Sequence, residues 1–249
     1  MLAHAGPALR RPRACVAVLG VTPEVVGLAW PADARLLALD HSAAMIARVW
    51  RPHPSIASHV LQSRWQSMPL PPACIDLVVG DGSLNNIVDL DGYGQVVSEI
   101  ARVLAPGGRA VVRCFVRPDR AESLADITSA VWSGRVGSFH ALKWRIAMLV
   151  AQPRTASVAV AAIRNQFNAS FPDRGLLAHA TGWPRSEVDT IDAYEGASTR
   201  YTFPTLAQLT NAVQPWLEVR DVRTAGYELG DRCPTVLFQP PDSTGGGQT

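Results

Sequence analysis

Apolar and polar positions follow two rhythms along this chain. Short apolar runs at 15–19, 35–40, 75–81 and 109–116 have the length and β-branched content of strands buried on both faces. Between them the spacing turns helical. Val96, Val97, Ile100, Val103 and Leu104 repeat every three to four residues over 93–104, and Pro-Gly-Gly at 106–108 ends that helix. A first helix is predicted over 23–30, with Thr22 as its cap, Pro23 at its first position and Pro31 as its stop. Ser42 caps a second helix whose apolar face is Met45, Ile46 and Val49.

A proline-rich connection leads to a third strand near 59–61. Beyond residue 117 the rhythm is helical again, over 120–133, 139–151 and 157–168, with a Gly-, Pro- and polar-rich stretch over 173–201. A helix over 205–213 and strands over 217–224 and 235–239 close the pattern. Strands alternating with helices predict an α/β fold with a doubly wound, mostly parallel seven-stranded sheet. The expected organisation is an irregular tail at 1–13, a core over 14–118 and a helical cap over 119–204. The final helix and strands at 205–240 complete the core, and 241–249 is a disordered tail.

Composition changes this picture little. The 249 residues are 47% hydrophobic and 18% charged with a net charge of +2, an ordinary globule with no basic stripe for nucleic acid. The arginines at 10, 11 and 13 read as a solvated tail. Cys15, Cys74, Cys114 and Cys233 lack metal-ligand spacing and read as small core residues in a reducing compartment. No apolar run reaches the roughly 18 residues of a membrane span, and the opening residues lack signal-peptide order. The cytoplasm is therefore the expected location. The short lead-in to the first strand leaves apolar surface that a second copy would cover, so a homodimer is expected.

The candidate ligand edge starts at Gly20, where strand meets helix. A glycine there lets backbone approach a ligand closely. Asp40 ends the second strand 20 residues later, near the separation at which nucleotide-binding α/β folds place a ribose-binding acid. The 81–86 segment, Asp-Gly-Ser-Leu-Asn-Asn, is turn chemistry at the same edge.

With those residues in order, the chain resembles the class I S-adenosylmethionine-dependent methyltransferases over about 14–116 and at the last strands. Gly20, the Asp-His-Ser-Ala-Ala-Met-Ile run at 40–46, Met-Pro-Leu-Pro at 68–71 and Arg-Val-Leu-Ala-Pro-Gly-Gly-Arg at 102–109 carry the resemblance. It implies S-adenosyl-L-methionine as cofactor. Gly20, Val21 and Thr22 would pass its methionine portion, and Asp40 would hold the ribose. His41 and Trp65 would line the adenine pocket, while Gly80, Asp81, Gly82 and Ser83 would face the methyl. Two features depart from the family pattern: Gly20 stands alone in its turn, and Arg64 replaces the usual acid.

Methyl transfer chiefly needs an aligned acceptor and, where necessary, a base. His140 is the favoured base, one helical turn from Lys143 in the expected cap; His179, Asp81, Asp192 and Glu228 are the others. Lys143 and Arg145 are candidates to hold an anionic substrate, and Tyr194 and Tyr201 to line its pocket, with Arg200 beside them. For each of these a structural role is at least as expected. Trp132, Trp144, Trp183 and Trp216 read as core. No Gly-x-Ser-x-Gly elbow and no phosphate loop is present. The leading expectation is small-molecule O- or N-methylation, without metal, nucleic acid or membrane. The alternative is a non-methylating scaffold of the same fold, binding a ligand or a partner; a third reading keeps the cofactor for other chemistry.

Overall fold

The computed structural model describes Met1 and residues 5–241. Seven strands form one sheet in the order β3-β2-β1-β4-β5-β9-β8. They are β1 (Cys15–Leu19), β2 (Arg35–Asp40), β3 (Ala57–Gln62), β4 (Ile75–Asp81), β5 (Leu104–Arg113), β8 (Glu218–Arg223) and β9 (Thr235–Gln239). β1 to β5 and β8 run in one direction, and β9, between β5 and β8, is antiparallel to both neighbours. The fold is the seven-stranded, mostly parallel, Rossmann-like sheet that the alternation predicted.

Each face of the sheet has its own apolar layer, because successive strand side chains point to opposite sides. Val16 and Val18 join Val25 and Val26 of α1 (Pro23–Val26) on one face. Ala17 and Leu19 pack on the other with Val96, Val97 and Ile100 of α3 (Leu90–Val103) and Leu209 of α9 (Leu206–Val213). Between α1 and α3 lies α2 (Ala43–Val49), capped by the Ser42 hydroxyl, which accepts from the Met45 amide at 3.2 Å. Strand order reverses between β1 and β4, and at such a switch point the chain leaves a crevice at the strands' carboxyl ends.

The inserted segment builds a separate core. α4 (Leu124–Trp132), α5 (Phe139–Val150), α6 (Val160–Ser170), α7 (Arg174–Thr181) and α8 (Arg185–Val188) enclose Ile127, Phe139, Leu142, Ile163, Phe167 and Leu177. A two-stranded antiparallel sheet, β6 (Ser157–Ala159) with β7 (Arg200–Thr202), docks this cap onto the loop that follows β4. Asn85 is the fastener. Its amide donates to the carbonyls of Phe115 at 2.7 Å and Thr202 at 2.6 Å, and its oxygen accepts from the Phe115 amide at 2.8 Å.

Several local expectations change. The first helix stops at Val26 rather than at residue 30, since Gly27 closes it, and Thr22 makes no side-chain cap. Residues 157–159, expected to open a helix, are a strand because β7 returns to pair with them. Within the expected irregular start, Ala8–Arg10 form a 3₁₀ turn, and Ala5 and Ala8 are buried against the sheet. Arg11 is exposed, as expected of a solvated segment, but also anchored by a 2.7 Å ion pair to Asp76. Trp132 and Trp216 are exposed, not core, and Cys15 and Cys74 are only half-buried. The expected tail over 242–249 lies outside the described residues.

Asn85→Ala would leave the Phe115 amide and the Thr202 carbonyl buried without this partner. A loss of about 1–3 kcal/mol is expected, read as a lower urea midpoint at unchanged slope.

Candidate functional site

The parallel register brings the ends of three strands together. Leu19 sits beside Leu39 and beside Gly80, and Asp40 lies opposite Gln62. The Leu39 carbonyl then accepts two hydrogen bonds, from the Gly20 amide at 2.8 Å and from the Trp65 indole at 2.6 Å. Gly20 adopts φ of 100°, a conformation that favours glycine, and the space above its Cα is ringed rather than filled. A Cβ there would lie 3.9 Å from Thr22 Oγ1 and from the Trp65 ring, and 4.0 Å from Asp40 Oδ2. Three side chains thus converge on one bare backbone atom.

Around them opens a cleft of about 690 Å³ at the carboxyl edge. Gly20, Val21, Thr22, Asp40, His41, Trp65, Asp81 and Ser83 all line it. Asp40 is largely buried; its Oδ1 accepts from the Ser42 amide at 2.8 Å, which leaves Oδ2 toward Gly20. Ser83 is 2% exposed and its hydroxyl has no partner, although it borders the cleft. Its oxygen occupies the space beside Gly80, where a Cβ would come within 2.0 Å. Gly80 and Gly82 therefore shape the cleft from behind; Phe115 covers Gly82. Sequence reading did not single out Ser42, Asn86, Ile87, Val88 and Thr199 as cleft walls. The last is carried in by the cap's small β6–β7 sheet, over 100 residues away in sequence, so no local signal marked it.

Asp81 is engaged across the sheet. In parallel register it faces Arg113, which grips its two oxygens at 2.5 and 2.8 Å. Burial opposes the charge on Arg113, but the hydrogen bonds and attraction of Asp81 outweigh it and raise its pKa.

Residues 20–112 match the family model described as a methyltransferase domain. Over that stretch the chain is similar to methyltransferase domains. A search of curated proteins gives no match. Among solved structures, a SAM-dependent methyltransferase of Methanosarcina mazei aligns with a TM-score of 0.51 and 12% identity, covering 92% of this chain and 93% of that one. A Haloferax volcanii structure, a complex between the Trm112 methyltransferase activator and a provisionally named methyltransferase, aligns at 0.50 and 13%, covering 96% and 89%. A Rhodobacter sphaeroides protein provisionally named a zinc-dependent alcohol dehydrogenase aligns at 0.56 and 12%, also covering 96% and 89%. At such identities these likenesses speak for the fold alone.

The residues expected to bind substrate do not reach this cleft. Arg145 is buried against Glu122, which also takes Arg232 at 2.6 Å, so neither arginine is solvated and Arg232 is not paired within its own loop. Tyr194 and Tyr201 pack edge-on at 6.4 Å within the cap's aromatic cluster, where Tyr201 also meets Trp144. Burial and the Tyr201 hydroxyl push the Tyr194 phenol well up. Arg200 donates to the Ser157 hydroxyl at 2.9 Å. His140 is 59% exposed on α5, with Nε2 3.7 Å from Glu187, outside the cleft. His179 is exposed on α7. Asp192 is held low by hydrogen bonds from Arg174 and Arg164, and Glu228 accepts from the Gly137 amide at 2.9 Å. Of the base candidates only Asp81 borders the cleft.

Lys143 is the single lysine among 23 basic residues. Its Nζ lies 5.5 Å from the ring centres of both Trp144 and Tyr194. Burial lowers its pKa below 10.5, and the charge of Glu187 only partly opposes this. The folded chain therefore binds that proton less tightly than the unfolded chain, so this group's burden on stability is present at neutral pH and lifts as pH rises toward 10.5. Two outcomes are expected. Reductive methylation with labelled formaldehyde should give a dimethyl-lysine resonance titrating below its value in the denatured protein. The stability of Lys143→Met relative to the parent should fall as pH rises through that range.

Proposed function

We propose that this protein transfers a methyl group from S-adenosylmethionine to an oxygen or nitrogen of a small molecule. The observation that carries the reading is the convergence of Thr22, Trp65 and Asp40 around the bare Cα of Gly20, at the edge of a cleft large enough for a nucleoside. The residues present suit the cofactor. Gly20 leaves backbone open where a side chain would intrude, and the orphaned Ser83 hydroxyl and the free face of Asp40 offer polar contacts.

In this reading Asp40 Oδ2 accepts from the ribose hydroxyls. Trp65, fixed by its bond to the Leu39 carbonyl, gives the nucleoside a rigid wall, and His41 flanks the base side. The turn from Gly20 to Thr22 borders the amino-acid portion, and Asp81 and Ser83 border the transferred carbon. When bound, the cofactor would supply a methyl group activated by its sulfonium sulfur. Asp81 presents an acceptor-facing carboxylate whose negative charge is matched by Arg113, so it suits orientation of an O–H or N–H better than outright deprotonation.

A second reading, a non-methylating ligand-binding or interaction scaffold, is favoured by one observation. Arg64 stands on the cleft's rim, in the place where the resemblance leads to an acid. Calorimetric titration with S-adenosylmethionine and S-adenosylhomocysteine separates the two. Saturable binding of both, weakened at least tenfold by Asp40→Ala, is the expected result. Absence of binding at millimolar ligand would favour the scaffold. Unchanged affinity in Asp40→Ala would remove the ribose assignment.

A further inference from the structure

A second cleft, of about 410 Å³, opens at the same edge of the sheet, on the far side of α1. It lies beyond the ends of β4, β5 and β8, where Asp81, Arg113 and Arg223 project, and at the start of β9. Asp81 is the one residue lining both clefts. The first turn of α1 divides them: Pro23 faces one and Glu24 the other.

The walls differ in chemistry. Val25 of α1, Leu28 just past its end and the buried Cys233 give an apolar floor. Burial pushes the Cys233 thiol up to about 11, so at neutral pH it is a protonated wall and not a nucleophile. Tyr227 stands half out of the surface, its hydroxyl 3.4 Å from Arg113. Arg223, 58% exposed at its side chain, stands at the rim with Asp221 at 3.0 Å. At the inner end is the Asp81–Arg113 pair. Each Asp81 oxygen takes one bond from Arg113 and keeps acceptor capacity for a further donor.

The cap has a surface hollow of about 600 Å³ at Pro172, Asp173, Arg174, Gly175 and Arg185, but its Arg174 is already held by Asp189 and Asp192. Its aromatic side chains fill their own interior, and the residues first expected to bind substrate are part of that filling.

We infer that this second cleft is the seat of the small-molecule methyl acceptor. The acceptor is an amphipathic molecule with an apolar, planar body, an O–H or N–H directed at Asp81 and an anionic group at the Arg223 rim. The inference rests on the methyl-transfer reading for the word acceptor, while the cleft's occupancy by such a molecule can be tested without cofactor.

The probe is 8-anilinonaphthalene-1-sulfonate, an aromatic body carrying one N–H and one anionic group, titrated by fluorescence into the cofactor-free protein. Saturable binding is expected, weakened at least tenfold by Ala225→Trp, which fills the cleft from its exposed wall, and also by Arg223→Glu. Calorimetric affinity for S-adenosylhomocysteine should be unchanged in Ala225→Trp, and S-adenosylhomocysteine should not displace the probe. Probe binding insensitive to both variants, or displacement of the probe by S-adenosylhomocysteine, would overturn the assignment. If S-adenosylhomocysteine fails to bind while the probe responds to both variants, the cleft stands and the methyl-transfer reading falls.

Discussion

The Leu39 carbonyl holds the cleft together. One oxygen receives the Gly20 amide and the Trp65 indole, so the ends of β1 and β2 and the loop after β3 are fixed to a single point. This is possible only because β1, β2 and β3 run parallel and in register, which sets their carboxyl ends side by side. Asp40, one residue further along β2, is thereby aimed across Gly20. An isolated strand-glycine-helix segment has no such partner.

A second constraint acts across β4 and β5. The register that places Asp81 opposite Arg113 makes an ion pair at the sheet's edge, between two clefts. The pair is partly screened by solvent, so its contribution to stability is modest. Its consequence for chemistry is larger. A carboxylate gripped by a guanidinium at both oxygens is held in one orientation, and fixed geometry is what the proposed in-line transfer demands.

The cap is a different kind of object. It has its own apolar core, and it meets the sheet through polar fasteners: Asn85, the Thr202 hydroxyl on the Ile87 carbonyl, and the Ser157 hydroxyl on the Val88 carbonyl. Those contacts shape the loop after β4 and deliver Thr199 to the first cleft. The cap's charged and aromatic residues otherwise satisfy one another, as Arg145 and Arg232 do with Glu122. Polar residues in a helical insertion are thus no guide to a binding site when the insertion has an interior to fill.

The sequence by itself determined the strands, their order of alternation with helices, and the residues at the ends of β1, β2 and β4. Those signals are local: apolar runs, a glycine and an acid at a fixed separation, and helical spacing in α3. Gly20, Asp40 and Asp81 were legible for that reason, each sitting where a strand stops, whereas Trp65, three residues past the end of β3, was expected only from the family resemblance. Tertiary structure alone decided which distant groups meet. It turned residues 157–159 into a strand by bringing β7 beside them, buried Lys143 between Trp144 and Tyr194, and left His140 facing solvent. It also opened the second cleft from α1, β5 and the loop before β9, segments up to about two hundred residues apart. Periodicity reports which side of an element is apolar, whereas a pocket depends on which faces fail to pack, and that is settled only when all the elements are in place.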